Sequence, residues 1–186
     1  LAEGYSSPVV AGNRVITVET RSKKNEIVRA FDRNTGKQLW ESAWAGKMRV
    51  PFFAAKNGSW VRSSPTADGR NLYVGGMLDL LVSLDLASGK EQWRIDFPRK
   101  EKTPKPQFGF VCSPLLDKEH LYVQVGTALR KIRKDDGETV WKVLADERAM
   151  LGSAFSSPVR ATIGKHDQIV VQTRMELAGV APHDGK

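Results

Sequence analysis

Short apolar strands and polar turns alternate along the whole chain. After each of four prolines, a short strand is followed by a turn rich in Gly, Asp, Asn or Lys and then by a second, almost continuously apolar strand. A third strand comes next, and a turn that ends in glycine leads, in the first three sets, to a fourth strand with a Trp. The second strands read RVITVET, LYVGG, LYVQV and QIVVQT, and the third strands read EIVRAFD, LLVSLDL, ALRKIRK and ELAGVAP. The pattern predicts an all-β chain of antiparallel strands in sets of four.

Two landmarks recur in a fixed order, which indicates an internal repeat. The first is a small residue followed by Ser-Pro, and the second is the turn NTGKQLW, which returns as ASGKEQW and DDGETVW and begins again as HDGK. The period is roughly 50 residues, as expected for four-stranded blades of a β-propeller. One partial propeller domain is therefore predicted over 1–186. Its predicted blades are 5–45, 62–98, 111–145 and 155–186, the last without its outer strand, and its inserted loops are 46–61 and 99–110.

The sizes of the repeated residues fit blades that radiate from an axis. Small residues open each first strand, where neighbouring sheets are close, and a Trp, which buries about 200 Å², fills the wider gap at the rim. Glycine in each turn supplies the positive φ of a hairpin. These structural positions are Gly36, Trp40, Gly89, Trp93, Gly137, Trp141 and Gly185.

The segments SSPVVAGNRVITV and RAFDRNTGKQLW resemble the pyrroloquinoline-quinone (PQQ) type propeller repeat of quinoprotein alcohol dehydrogenases and outer-membrane assembly lipoproteins. The motif Ala-x-Asp…Thr-Gly-x-x-x-Trp is complete in Ala30–Trp40 and close in Ser83–Trp93, whereas Arg133 and Ala181 replace its Asp in the later copies. The resemblance implies a ring of seven or eight blades and a location outside the cytoplasm, periplasmic or secreted. The chain is expected to be part of such a ring. Two chains pairing as half-rings, and a closed four-bladed ring, are the alternatives.

Composition and charge narrow the classes of partner. The 186 residues are 40% hydrophobic and 27% charged, with a net charge of +8, and no apolar run is long enough to span a bilayer. A basic balance is compatible with nucleic acid, an anionic surface or an acidic partner, but the sequence has no nucleic-acid-binding motif, so nucleic acid is not expected. The single cysteine, Cys112, cannot form a disulfide within this sequence or a cysteine-based zinc cluster. It is predicted to be a buried apolar residue.

The long loops are the candidate binding surface. In a four-stranded blade, the link from the outer strand to the next blade shares a face with the loop between strands two and three, and insertions in repeat proteins often form the binding face. Basic and aromatic residues are mixed there, which suits a protein or peptide partner or an anionic ligand. Alternatively, the aromatic residues pack the loops and the lysines are solvated. The candidate partner-binding residues are Arg49, Phe52, Phe53, Trp60, Lys100, Lys102 and Lys105, and the candidate ligand-binding residues at the channel mouth are Tyr5, Arg62, Phe110 and Phe155.

Signals of catalysis are few. His120, His166 and His183 lie in or beside turns and have no metal-ligand partner at a suitable spacing, so no metal site is predicted. For quinoprotein dehydrogenases, the resemblance implies a PQQ held between a Trp and a disulfide of adjacent cysteines, with calcium bound by Glu, Asn and Asp. This sequence has no adjacent cysteine pair, and its residues do not support PQQ with calcium as a cofactor. A non-catalytic binding scaffold is therefore the leading hypothesis, and a fragment of a PQQ-dependent dehydrogenase and a polyanion-binding module are the alternatives.

Overall fold

The structure, a computed structural model, describes residues 2–146 and 155–186. In these residues the strands form four antiparallel sheets, three of four strands and one of three, and within each sheet the strands follow chain order. The predicted all-β fold of four repeated units is confirmed. Sheet one contains β1 Val9–Ala11, β2 Arg14–Arg21, β3 Asn25–Asp32 and β4 Gln38–Ala45; sheet two contains β5 Thr66–Ala67, β6 Asn71–Gly76, β7 Leu80–Asp85 and β8 Glu91–Asp96; sheet three contains β9 Leu115–Leu116, β10 His120–Val125, β11 Ala128–Arg133 and β12 Thr139–Val143; sheet four contains β13 Val159–Ile163, β14 His166–Gln172 and β15 Leu177–Val180.

Sheets two and three are apolar on both sides because each packs between two neighbours. Leu72 and Tyr73 are consecutive residues of β6, so their side chains point to opposite sides of the sheet. Leu72 packs in an apolar layer with residues of sheet one such as Ile16, whereas Tyr73 packs in a layer with residues of sheet three such as Leu121. All four residues are fully buried. The continuous apolar run of each second strand therefore reflects two interfaces.

Each repeated Trp joins its own sheet to the turn of the next one. The three residues lie in or against three separate apolar layers. Each indole N–H donates to the carbonyl that lies three residues before the next turn glycine: Trp40 to Leu86 (3.1 Å), Trp93 to Lys134 (2.8 Å) and Trp141 to Pro182 (3.3 Å). The turn and the Trp recur together because each copy contacts the next.

The turn glycines are needed for their backbone conformation and, between sheets, for space. Gly36 and Gly89 have φ angles of 69° and 72°, in the left-handed region that favours glycine, as the sequence predicts. A Cβ atom on Gly89 would lie 2.5 Å from the ring of Trp40, whereas a Cβ atom on Gly36 would have no described atom within 4 Å. Contact with the Trp of the preceding sheet is therefore a second constraint, which the turn glycines after Gly36 carry.

The third copy of the turn is closed by an ion pair in place of the capping carboxylate of the first copy. In sheet one, Oδ1 of Asp32 accepts hydrogen bonds from the backbone N–H groups of Thr35 (2.8 Å) and Asn34 (3.0 Å), and the bonds from Thr35 hold the pKa of Asp32 below its usual value. Arg133 stands at the corresponding position of sheet three. Its Nε lies 2.9 Å from Oδ1 of Asp136, so an ion pair closes this turn.

The Ser before each landmark Pro links consecutive sheets. The backbone N–H of Ser7 donates to Oγ of Ser64 (2.9 Å), that of Ser64 to Oγ of Ser113 (3.1 Å), and that of Ser113 to Oγ of Ser157 (2.8 Å). A hydroxyl is small and accepts such a bond readily. The repeated Ser therefore contributes an inter-sheet hydrogen bond as well as the small side chain that is predicted where neighbouring sheets are close.

Two short helices lie in the links between sheets. A 3-10 helix, Phe52–Asn57, follows Pro51, and an α-helix, α1 Phe97–Lys100, contains Pro98 in its first turn, where a missing N–H removes no helical hydrogen bond. Among the residues that the structure describes, no helix is long and apolar enough to cross a membrane.

Candidate functional site

The first link, residues 46–62, is fixed at both ends and carries two phenylalanines between them. Gly46 donates its backbone N–H to the carbonyl of Lys24 (2.9 Å), next to the turn between β2 and β3. Val61 donates its N–H to Oγ1 of Thr20 (2.9 Å), a buried residue of β2. The 3-10 helix Phe52–Asn57 lies between these anchors and presents its first two side chains to the outside.

The second link, residues 97–111, is held by a partly buried ion pair. The carboxylate of Asp96 caps α1 by accepting from the N–H of Arg99 (3.1 Å), and Phe97 is fully buried. Arg130 of β11 is 1% exposed and donates two hydrogen bonds to Glu101 (2.7 and 2.6 Å), with its guanidinium 4.8 Å from the ring centroid of Phe97. Partial burial opposes ionisation of Glu101, but the bonds from Arg130 hold its pKa below the usual value. The pair therefore ties the link to sheet three.

An aromatic row, defined as Phe52, Phe53, Phe108 and Phe155, connects the two links and the segment before sheet four. The ring centroids are separated by 5.7 Å between Phe52 and Phe53, 6.1 Å between Phe53 and Phe108, and 5.4 Å between Phe108 and Phe155. Phe52, Phe53 and Phe155 are 92%, 68% and 63% exposed, respectively. Single exposed apolar residues are ordinary, but exposed aromatic groups in mutual contact form a patch of the kind that binds partners. Three predicted residues are thus brought together through Phe108.

Tyr5, Trp60 and Arg62 form a second, smaller cluster. The rings of Tyr5 and Trp60 are 5.5 Å apart, and the guanidinium carbon of Arg62 lies 5.2 Å from the Tyr5 ring centroid. Arg62 also donates from Nη2 to the carbonyl of Gly58 (3.2 Å). The guanidinium is therefore held over the Tyr5 ring by a cation–π contact and by this hydrogen bond.

The four residues predicted at the channel mouth do not form one lining. Tyr5 and Arg62 lie together, Phe155 belongs to the aromatic row, and Phe110 is 2% exposed within the layer between sheets two and three. Gly75 leaves the space that Phe110 fills, since a Cβ atom there would lie 1.7 Å from its ring. Phe110 therefore packs the core beside the second link.

The predicted basic residues of the links are exposed. They are Arg49, Lys100, Lys102 and Lys105. Nζ of Lys100 lies 3.4 Å from Oε1 of Glu138, an exposed pair that contributes little to stability. The other three pair with no acidic side chain of the described residues. The two links that carry the aromatic row therefore have an excess of positive charge.

Two buried carboxylates connect consecutive sheets at the end of the molecule that carries the links. They are not among the residues predicted from the sequence. Glu26 is fully buried, and its oxygens accept from the N–H of Met77 (2.6 Å) and the indole N–H of Trp44 (2.5 Å). Asp79, 4% exposed, accepts from the N–H of Gly126 (2.9 Å). Burial raises the pKa of each to about 7. The available signal was an acid at the same point of two repeats, just where an apolar third strand begins.

The concave features of the described residues are small or already satisfied. A cleft between the second link and sheets three and four, which includes Gln124 and Arg174, has a cavity volume of about 40 Å³, far below the roughly 300 Å³ or more of small-molecule sites. A wide depression beside the turns at the other end of sheets three and four has a volume of about 500 Å³, but it is open and its charges are paired, such as Arg160 with Asp167 (2.6 Å). Binding is therefore better supported on the exposed link face than in a pocket.

Residues 24–186 match the family of the outer membrane protein assembly factor BamB. The chain belongs to this family. BamB of Yersinia pestis is 28% identical over 68 residues, which are 37% of this BamB-family chain and 17% of the relative. The fold of this chain is similar to that of BamB from Moraxella catarrhalis, with a TM-score of 0.57 and 17% identity. The match covers 96% of this chain and 48% of the Moraxella protein. Quinohemoprotein alcohol dehydrogenase from Comamonas testosteroni gives a TM-score of 0.60 at 17% identity, with coverage of 91% and 29%.

These comparisons confirm the PQQ-type propeller repeat. The BamB-family chain spans about half the length of the solved BamB that it matches, and at 17% identity the structural likeness concerns the fold alone.

The described residues of this BamB-family chain offer no support for PQQ with calcium. Its one cysteine, Cys112, is 1% exposed, and burial raises the pKa of its thiol to about 12, so it is neither one of an adjacent pair nor reactive. Trp40, Trp93 and Trp141 are engaged between sheets. In residues 2–146 and 155–186, no group of three or more His, Cys, Asp and Glu side chains could hold a metal ion.

Proposed function

We propose that this BamB-family chain is a non-catalytic scaffold that binds a protein or peptide partner on its link face, the surface formed by residues 46–62 and 97–111 with Phe155. The aromatic row is the observation that carries the proposal. Its three exposed rings are joined across both links through the partly exposed ring of Phe108. Contiguous apolar patches of this kind typify interaction sites, and aromatic anchors dominate the binding energy of protein interfaces.

The fold supports this role because it holds the row on rigid elements. The first link is anchored by Val61 on Thr20 and the second by Glu101 on Arg130. Binding residues on loops that a rigid scaffold positions lose less conformational entropy when a partner docks. The link face therefore suits recognition of a partner without chemical change to it.

The relatives support a partner of the protein class. They are named outer membrane protein assembly factors, and that name favours protein partners and a location outside the cytoplasm, periplasmic or secreted, for this chain as well. The likeness to a quinohemoprotein alcohol dehydrogenase adds no support for catalysis, because it concerns the fold alone and the described residues offer no support for the cofactor.

Site-specific photocrosslinking in the host organism tests the proposal. We expect Phe53 replaced by p-benzoylphenylalanine to yield discrete protein adducts, because this ring lies in the middle of the row and is largely exposed. Val140 on β12, which is 48% exposed and outside the link face, is the matched control position. The same adducts from both positions, or none from Phe53, would contradict the proposal.

A further inference from the structure

We infer that the segment bound on the link face is an acidic peptide in extended conformation, with Asp or Glu residues flanking aromatic or aliphatic ones. This inference rests on the proposed function and names the chemistry of its partner. The net charge of the chain is concentrated on this face. Residues 46–62 and 97–111 contain eight of the 29 Lys and Arg residues but only one of the 21 Asp and Glu residues, so the rest of the chain is close to neutral.

The single acid of the two links does not neutralise the face. It is Glu101, whose carboxylate is bonded to the buried guanidinium of Arg130. Several arginines elsewhere in the molecule have acidic partners, for example Arg94 with Glu91. By contrast, five exposed cations of the links pair with no acidic side chain in the part of the chain that the structure describes: Lys47, Arg49, Lys56, Lys102 and Lys105. Such a concentration of one sign attracts the opposite charge and speeds association.

The geometry of the aromatic row favours an extended peptide. Its ring centroids are 5.4 to 6.1 Å apart, close to the roughly 6.6 Å that separates side chains on one side of a strand. Alternate apolar side chains of a strand would therefore meet successive rings, while its acidic residues, which point to the other side of the strand, would lie in the positive potential of the links.

Two other polyanionic partners fit less well. Phe52 and Phe53 are nearly perpendicular at 81°, and the next two pairs of rings are inclined at 57°, so the row does not offer the parallel faces on which successive nucleic-acid bases stack. Phe108, in the middle of the row, is only partly exposed. Insertion into a lipid surface calls for apolar groups that protrude together.

The test uses defined probes and a matched pair of charge-reversal variants. The probe is the peptide Glu-Phe-Glu-Leu-Glu-Phe-Glu, and its controls are the same peptide with Lys for Glu, an all-Glu peptide, heparin and vesicles that contain phosphatidylglycerol. We expect K102E/K105E to weaken binding of the probe about tenfold, or about 1.4 kcal/mol, and added salt to weaken it further. K118E/K165E changes two exposed lysines in the turns at the other end of the sheets and should bind as the unmodified protein does. Circular dichroism and thermal unfolding verify that both variants are folded.

Each outcome decides the inference. Equal binding of the Lys peptide, or an unchanged affinity of K102E/K105E, would overturn it. Tighter binding of heparin or of the vesicles than of the probe would overturn the choice of a peptide. Photoadducts at Phe53 that survive in K102E/K105E would leave the proposed function intact and contradict only the acidic character of the partner. Absence of adducts in the protein without the charge reversals would contradict both the proposed function and this inference.

Discussion

Glu26 and Asp79 show how one residue type at one point of the repeat joins neighbouring sheets. Each carboxylate lies beside the turn between the second and third strands of its own sheet, and each accepts a backbone N–H from the corresponding turn of the next sheet. The N–H groups satisfy the buried oxygens, but burial still opposes the charged form. Both groups therefore titrate near neutral pH, which couples the contact between sheets to pH.

We predict that E26Q reduces the dependence of stability on pH. Burial raises the folded-state pKa of Glu26 from 4.5 to about 7, so the folded protein holds this proton more tightly than the unfolded chain does. Its contribution to the free energy of unfolding is complete below about pH 4.5, is lost as the pH rises to 7, and is absent above that. Urea unfolding between pH 4.5 and 7.5 measures the slope, which E26Q should make shallower.

The control for this prediction is E176Q, since Glu176 is exposed. It should leave the slope as in the unmodified protein. Asp79 titrates in the same direction, so D79N should flatten the profile as E26Q does. An identical slope in all of these proteins would show that the buried carboxylates do not titrate in this range.

At the scale of the element, the turn of one sheet packs on the Trp of the preceding sheet. A comparison of Gly36 with Gly89 distinguishes the two constraints on a turn glycine, its positive φ and its contact with the Trp. Both glycines have nearly the same positive φ, so Ala at either position carries a strain of about 1 kcal/mol. Only Gly89 is covered by Trp40, where overpacking adds about 1 to 3 kcal/mol. We therefore predict that G89A lowers the free energy of unfolding in urea by more than G36A does. Equal losses would mean that the Trp contact does not constrain the turn.

The strands of each unit could be predicted from the sequence, but the contacts between units could not. Apolar periodicity identifies the residues that are buried, and the glycine identifies the turn, because both are local properties. Neither property indicates that the indole of Trp40 donates to the carbonyl of Leu86 in the next unit or that the backbone N–H of Ser7 donates to Ser64. Arg133 replaces the Asp of the motif, and its ion-pair partner Asp136 is an ordinary turn residue in the sequence. The sequence therefore indicates a degenerate motif and not the ion pair that closes the turn.

The candidate site was predicted in part for the same reason. Basic and aromatic composition marked the two links, and the structure brings Phe52, Phe53 and Phe155 into one row through Phe108. Phe110 carries the same kind of side chain two positions after Phe108, yet it fills the space above Gly75 in the core. The depth of an aromatic residue in a link depends on a glycine of a neighbouring strand, which the sequence of the link does not contain.

At the scale of the whole molecule, the number of neighbours differs from sheet to sheet. Sheets two and three pack on both sides, whereas sheet four has one apolar layer in the described residues. Leu177 of β15 is 73% exposed, while Leu129 at the same point of sheet three is 1% exposed and Leu81 of sheet two is fully buried. In repeat proteins, stability is close to a sum over units and nearest-neighbour interfaces. The second link, which joins sheets two and three and is held by Arg130 of sheet three, is therefore attached to the best-supported sheets.

We predict that hydrogen exchange of this chain follows that gradient. After correction for intrinsic rates, amides of β6 and β10 should exchange more than about tenfold slower than those of β14 and β15, a difference above about 1.4 kcal/mol. Exchange measured residue by residue by NMR at neutral pH tests this, with the amides of β2 as the comparison for sheet one, which also packs on one apolar layer. One common rate for all four sheets would show instead that the units open together, so that the second link has no more stable support than any other surface.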